Sequence, residues 1–271
     1  MTTEDLARAA DWLRTADGLL ITAGAGMGID SGLPDFRGPG GFWAVYPALG
    51  RARIAFEAIA NPAAFARDPQ LAWGFYGHRL DLYRRTEPHA GFALLRDIAA
   101  GMTHGARVFT SNVDGQFQKA GFATGEVCEV HGSIHHLQCS QPCRDKIWPA
   151  ADFQPDIDGD ACRLRNAAPT CPHCGALARP NILMFGDWQW VERRSLGQQQ
   201  SLARWLDQVE HLVCIEIGAG SYIPTVRHFS EQCGGRLIRL NPGEAQVPAG
   251  GIGLALGGLA GIRALHAALN G

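Results

Sequence analysis

The chain has no apolar run long enough to cross a bilayer. Its longest, such as 250–262, are short and broken by glycine, whereas a spanning helix needs about 20 consecutive apolar residues. Positive charge is not in excess: the formal net charge is -2 over 271 residues. There is no basic field to hold a phosphate backbone, and direct nucleic-acid binding is not expected. No block of like charges marks an interaction tail, and there is no internal repeat or low-complexity segment beyond the glycine-rich 249–261. The N-terminal MTTEDLARAADWL places acidic residues ahead of its first basic one and has neither an apolar core nor a small-residue cleavage site, which argues against a secretory signal. These absences predict a soluble, cytoplasmic protein with no membrane partner.

With 46% hydrophobic and 18% charged residues, the chain can bury one large core, or a large domain carrying a smaller module. Short apolar runs at 18–23, 106–110, 126–130, 181–185, 211–217 and 236–240 predict strands. Stretches at 2–14, 58–66, 69–85, 89–100, 115–120, 202–209, 225–233 and 259–269 predict helices. Strands alternating with helices imply an α/β fold on a doubly wound parallel sheet. The block 38–105, punctuated by Pro62, Pro69 and Pro88, shows no strand and reads as helical. Residues 134–180, rich in cysteine and proline and poor in periodicity, read as an inserted module.

Eight cysteines are present, and four form close pairs, Cys139 with Cys143 and Cys171 with Cys174. Paired thiols at this spacing in a reducing compartment point to metal rather than disulfides. Four thiolates match tetrahedral zinc and leave no position open, so the predicted zinc is structural. The first pair has three intervening residues instead of the commoner two, and Cys162 and His173 stand as alternates should one thiolate be misassigned.

Residues 24–37 read G-A-G-M-G-I-D-S-G-L-P-D-F-R and follow the first predicted strand. The stretch opens like a dinucleotide loop, with Gly24, Gly26 and Gly28, yet Ser31-Gly32 and Pro34 interrupt the helix that should follow. It ends on Asp35, Phe36 and Arg37. Open parallel sheets bind ligands outside the carboxyl ends of their strands. Three further strand ends carry polar or glycine clusters: Thr110-Ser111-Asn112-Val113-Asp114, Val130-His131-Gly132 and Gly218-Ala219-Gly220-Ser221. Each also has a plain structural reading. Asn112 and Asp114 are placed to cap the helix near Gly115, and His131 before a glycine suits a turn.

In chain order, the segments 24–37, T-S-N-V-D (110–114), V-H-G (130–132), the two cysteine pairs, R-P-N-I-L-M-F-G-D (179–187), G-A-G (218–220) and R-L-N (239–241) resemble the sirtuins, the NAD-dependent protein deacylases. The resemblance implies a Rossmann-like NAD-binding domain (1–39, 106–133 and 181–271), a helical module (40–105) and a zinc-binding module (134–180), with the active site between them. It implies that NAD is a co-substrate contacted by Gly24, Ala25, Gly26, Ser111, Asn112, Asp114, His131, Gly218, Ala219, Gly220, Ser221 and Asn241. Asp35, Phe36 and Arg37 would form a loop over it. The catalytic set would be His131 as general base with Asn112 and Asp114 in the nicotinamide pocket, and Met184, Phe185 and Gly186 would pair with an acyl-lysine peptide. In the family's reaction the acyl oxygen attacks C1′ of the nicotinamide ribose, nicotinamide leaves, and a histidine deprotonates a ribose hydroxyl.

Tyr76 and Arg79 lie three apart on a predicted helix and so share a face. In the succinyl- and malonyl-removing branch of the sirtuins, a Tyr-x-x-Arg pair at this place grips the acyl carboxylate; the plain alternative is a core tyrosine and a solvated arginine. The chain departs from the common pattern at Gly28, where serine is usual, at Ser111, where glutamine is usual, and at Ala219-Gly220, where threonine-serine is usual. These departures leave ADP-ribosyl transfer, NAD hydrolysis and a non-catalytic NAD- or ADP-ribose-binding role as alternatives. If position 28 faces the cofactor, Gly28→Ser is expected to raise NAD affinity.

Overall fold

The computed structural model describes residues 3–34 and 38–271; Asp35, Phe36 and Arg37, expected over the cofactor, lie outside the described residues. From the N-terminus the chain runs α1 (Thr3–Arg14), β1 (Gly18–Ala23), a 3-10 segment (Ala25–Ser31), α2 (Gly38–Val45), α3 (Pro47–Arg51), α4 (Phe56–Ile59), α5 (Pro62–Arg67), α6 (Pro69–Arg85) and α7 (Gly91–Ala99). It continues through β2 (Ala106–Thr110), α8 (Gln116–Lys119), β3 (Val127–Glu129), β4 (Gly132–Cys139), β5 (Ile147–Pro149), β6 (Ile157–Asp158), β7 (Arg163–Leu164) and β8 (Ala178–Ile182). The last part comprises α9 (Arg193–Leu206), β9 (Leu212–Ile217), α10 (Thr225–Gln232), β10 (Arg236–Leu240), β11 (Ile252–Leu254) and α11 (Gly258–Asn270).

Six strands form one sheet in the order β11-β10-β9-β1-β2-β3, and every pairing in it is parallel. All of β1 is buried, as expected of a strand covered on both faces. One face packs Leu19, Ile21, Ile215 and Ile238 against α1, α7 and α11; the other packs Leu20, Cys214 and Leu237 against α9 and α10. The sheet also buries a charge pair. Glu216 of β9 lies opposite Arg239 of β10 in register, Arg239 Nε donates to Glu216 at 2.6 Å, and Glu231 and Ser230 complete the cluster.

A second sheet, β5-β4-β8, is antiparallel. It shares a core with α2–α6, built on Phe42, Trp73, Phe75, Tyr76, Ile134 and Leu137. The β6–β7 hairpin lies directly on α6: a Cβ on Gly74 would stand 2.0 Å from the Cys162 carbonyl oxygen, so only glycine allows that approach. Among the described residues no helix is long and apolar enough to cross a membrane.

Several elements differ from the sequence expectation. The strand expected at 181–185 forms at Ala178–Ile182 and pairs with β4, not with the large sheet. The long β4 itself was not expected. Its Gln138 is buried because Asn181 and Val191 hydrogen-bond its amide oxygen, so a buried strand there carries no apolar alternation. The helix expected at 58–66 is two short helices separated at Ala60-Asn61, where Asn61 caps α5. Helix α9 begins at Arg193 rather than near 202.

Candidate active site and metal centre

Because the large sheet is parallel throughout, its carboxyl ends lie along one edge. The order β10-β9-β1-β2-β3 brings Asn241, Gly218, Gly24, Ser111 and His131 to that edge in succession. Hydrogen bonds join these ends. Gly24 N–H donates to Ile217 O and Gly26 N–H to Gly218 O, both at 3.0 Å, and Asn112 Nδ2 donates to Gly24 O at 2.9 Å. Gly218 has φ +59°, and a Cβ there would meet Gly26 Cα at 2.4 Å. The two glycine loops therefore touch through backbone alone.

The buried Asn241 donates to Ala219 O at 2.9 Å and accepts from the Gly243 and Glu244 amides at 3.1 and 2.9 Å. Its amide thus shapes the 218–221 loop from below. Ser221, exposed, donates to Glu244 at 3.1 Å. Ala25 is exposed, and among the described residues nothing lies within 4 Å of where a Cβ on Gly220 would stand. Ala25 and Gly220 are thus the open backbone positions at which this edge would meet a dinucleotide. Gly28 does not belong to it: a Cβ there would press on Leu33 Cδ1 at 2.8 Å, so a serine at 28 would point into packing, not at a cofactor.

At the β2 end, Thr110 Oγ1 donates to Ala23 O at 2.8 Å and accepts from Asn112 N at 3.0 Å, while Ser111 N donates to Ala23 O at 3.3 Å. These bonds hold Asn112 half-buried beside the first glycine loop. Asp114 is buried and accepts from Gln116 N, the first amide of α8, at 2.9 Å, although the N-cap position itself is Gly115. Burial pushes its carboxyl up to about 6, the Gln116 amide opposes this, and the buried Glu129 adds to the rise. His135 Nε2 donates to the Asp114 carbonyl at 2.8 Å. His131 is half-buried, and burial lowers its imidazole below the ordinary value, which favours the neutral, proton-accepting form.

Arg79 is not a solvated arginine. It is 9% exposed, donates to Tyr83 Oη from Nε at 3.0 Å and Nη2 at 2.7 Å, and lies over the rings of Phe75, Tyr76 and Tyr83. Its charge reaches Asp114, whose carboxyl it pulls down against the effect of burial. Tyr76 is core, stacked on Phe65 with ring centroids 5.5 Å apart. On the other side, Leu183 N donates to His131 O and Phe185 N to Ala60 O, both at 2.9 Å. Phe185 packs edge-on against Phe56, Met184 is buried, and Gly186 turns the chain at φ +64°.

The four cysteine sulfurs lie within 4.8 Å of one another, with Cys139–Cys174 and Cys143–Cys171 at 3.7 Å. Sulfurs about 2.3 Å from a tetrahedral zinc stand about 3.8 Å apart, so this cluster fits a structural zinc. The alternates fall away: Cys162 is buried under α6, and His173 is exposed and accepts from Arg144 Nε at 2.8 Å.

Sequence reasoning missed several residues around these sites. Tyr83 holds Arg79, and its i+4 spacing on α6 was the available signal. Arg227 binds the Ala219 and Glu244 carbonyls at 3.2 and 2.6 Å, fixing the second glycine loop; no pattern marked it. Glu129 pairs with Arg194 under the β3 end, and an acid between Cys128 and Val130 in an expected buried strand was the clue.

The sequence profile of the Sir2 family matches residues 24–219. A protein of Thermococcus kodakarensis named NAD-dependent protein deacylase is 32% identical over 240 residues, covering 87% of this chain and 84% of the relative. The mitochondrial NAD-dependent protein deacylase sirtuin-5 of Canis lupus familiaris is 28% identical over 234 residues, covering 80% of this chain and 69% of that one. A solved Sir2 homolog–NAD complex shares the fold with a TM-score of 0.73 at 22% identity, covering 100% of this chain and 94% of that one. With the parallel sheet, the joined strand ends and the four-cysteine cluster, these likenesses lead to one conclusion: the chain belongs to the Sir2 family, the sirtuins.

Proposed function

We propose that this chain is an NAD-dependent protein-lysine deacylase releasing nicotinamide and O-acyl-ADP-ribose. The observation that carries the reading is the meeting, in a Sir2-family chain, of His131, Asn112 and Asp114 at neighbouring strand ends beside the first glycine loop. NAD supplies the glycosidic bond that is broken. Ala25 and its neighbours take the pyrophosphate, and the 218–221 loop, held by Asn241, takes the adenosine half. Asp114 accepts from the nicotinamide carboxamide and, with Asn112, orients the ring. His131, kept neutral by burial, accepts a proton from a ribose hydroxyl within hydrogen-bond reach.

The acyl-lysine peptide adds as a strand along 184–186. The amides of 183 and 185 turn toward the protein, and an extended chain alternates its peptide edges, so residue 184 presents its edge outward. Arg79 and Tyr76 select acyl groups that end in a carboxylate, succinyl or malonyl. Support comes from the burial of Arg79 among aromatic rings near Asp114. Cys139, Cys143, Cys171 and Cys174 hold a zinc that fixes the 134–180 module, and thiolate ligation suits a reducing, cytoplasmic setting. The division into a 1–39, 106–133 and 181–271 lobe and the 40–105 and 134–180 modules follows the cores only in part: α7 packs into the core of the lobe, the rest of 40–105 shares a core with 134–180 that also takes in Leu33, Val113, Ile182 and Met184, and the boundary at 181 falls inside β8. The test is mass spectrometry of acetyl-, malonyl- and succinyl-lysine peptides incubated with protein and NAD. Loss of the acyl group supports deacylation; ADP-ribosylated protein or free ADP-ribose with intact peptide supports the alternatives and defeats it.

A further inference from the structure

The strip at 184–186 lies directly against helix α4 and the turn that follows it. Phe185 N donates to Ala60 O at 2.9 Å, and its ring meets Phe56 edge-on with centroids 5.9 Å apart. A Cβ on Gly186 would stand 3.6 Å from Asn61 Nδ2. Glu57 follows Phe56 on the same short helix, so its carboxylate stands beside the strip. Its partner comes from the large sheet's side: Tyr222 Oη donates to Glu57 Oε1 at 2.9 Å. Tyr222 comes directly after Ser221 and continues the second glycine loop. The contact thus joins the carboxyl ends of the large sheet to the helical module.

Both residues are left open to a further partner. Tyr222 is 78% exposed and Ile223 44% exposed. Their loop is nevertheless held, because Ala219 O accepts from Asn241 Nδ2 at 2.9 Å and from Arg227 Nη2 at 3.2 Å. An exposed aromatic ring on a held loop is a preorganised anchor. Among the described residues Glu57 pairs with no cation, and its hydrogen-bond partner is the Tyr222 hydroxyl. By contrast Asp187, at the end of the strip, is neutralised by Arg179 at 2.8 Å, and Glu244, bonded to the loop through Ser221, by Arg227 at 3.1 Å. Glu57 is therefore an uncompensated carboxylate beside an open aromatic ring.

We propose that Glu57 and Tyr222 form a subsite for a cationic side chain, lysine or arginine, that flanks the acyl-lysine in the substrate. The inference rests on the docking of an acyl-lysine peptide along 184–186. The Glu57 carboxylate accepts charge-assisted hydrogen bonds from an ammonium or guanidinium group. The Tyr222 ring offers its face to the same charge, and Ile223 covers the methylene stem. Tyr222 Oη also holds the carboxylate toward the loop. An acidic side chain at the same place meets Glu57 as a like charge, so the subsite rejects as well as selects. Side chains of an extended peptide alternate between its faces. The preference therefore falls at one flanking position, or at two of the same parity, and not at the positions between.

The experiment uses fluorescein-labelled acetyl- and succinyl-lysine peptides in which arginine, alanine or glutamate is placed in turn at each flanking position. Anisotropy gives Kd, and mass spectrometry with NAD gives kcat/KM on the same peptides. At the selected position arginine should bind about fivefold tighter than alanine, the scale of an exposed ion pair with a cation–π contact, and glutamate weaker than alanine. High salt should shrink the preference. Glu57→Gln should bring the arginine-to-alanine ratio to about one, and Glu57→Lys should favour glutamate. Each ratio is internal to one protein sample, so a general loss of activity or folding does not mimic these changes. Equal Kd for the three residues at every position, or an arginine preference that persists in Glu57→Gln, overturns the inference. Turnover with equal Kd values overturns the subsite and spares the deacylase reading; arginine-selective binding with the acyl group left in place does the reverse. Failure to bind any of the peptides overturns both.

Discussion

Replacing Arg79 with methionine should separate two acyl classes that share one active site. The guanidinium is buried and held at 2.7 and 3.0 Å by Tyr83 within a wall of Phe75, Tyr76 and Tyr83. A succinyl or malonyl carboxylate that reaches it forms a charge-assisted and potentially bidentate pair. Removing one partner of a buried pair costs about 3–5 kcal/mol. The lower end applies to a pair whose other member arrives from solvent with the substrate. About 3 kcal/mol corresponds to roughly 100-fold in kcat/KM on succinyl-lysine peptide. Acetyl-lysine brings no charge, so its kcat/KM should stay within about threefold. Methionine is unbranched and packs well against aromatic rings, so the melting temperature serves as a control for folding. The assay is steady-state kinetics on matched acetyl and succinyl peptides at saturating NAD. Equal losses on both, with folding unchanged, would refute the assignment of Arg79 to the acyl carboxylate.

Other outcomes follow from the same geometry. The acid limb of kcat/KM should follow Asp114, raised from 3.8 to about 6: activity rises as pH passes about 6, and Asp114→Asn should both lower the plateau and remove that limb, which a pH–rate profile reads directly. The folded state also keeps this proton longer than the unfolded chain does, so the contribution of Asp114 to stability falls as pH rises from 3.8 to about 6; denaturant titrations across that window should show Asp114→Asn flattening the fall. Gly28→Ser should lower stability by about 1–3 kcal/mol through overpacking on Leu33 and leave NAD affinity no higher; calorimetric titration showing tighter NAD binding would contradict the position found for Gly28. Chelation of zinc, or Cys171→Ser, should lower the melting temperature sharply, because a closed thiolate site acts on folding; an unchanged melting temperature after metal loss would count against a structural role.

The sequence made the site more legible than the fold around it. Gly24, Asn112, His131 and Gly218 stood at the ends of short apolar runs, and a parallel sheet has only one edge where such ends gather. The four cysteines were readable because tetrahedral ligation demands close pairs. What escaped was set by tertiary contacts. β4 buries Gln138 through Asn181 and Val191, so its sequence lacks the apolar period of a buried strand. β8 carries Arg179, which is buried because Asp187 neutralises it at 2.8 Å, and no local pattern shows that partner. Glu216 and Arg239 look misplaced inside apolar strands until their register places them side by side. Gly28 looked like a missing hydroxyl toward the cofactor, and only the direction of its absent Cβ, toward Leu33, showed otherwise.

The central claim, that this chain couples NAD cleavage to acyl transfer, is tested most directly by product stoichiometry. In one reaction with a succinyl-lysine peptide and NAD, nicotinamide, deacylated peptide and O-succinyl-ADP-ribose should appear in equal amounts, and His131→Ala should lose deacylated peptide and O-succinyl-ADP-ribose together. Nicotinamide released with free ADP-ribose while the peptide keeps its acyl group would contradict the account.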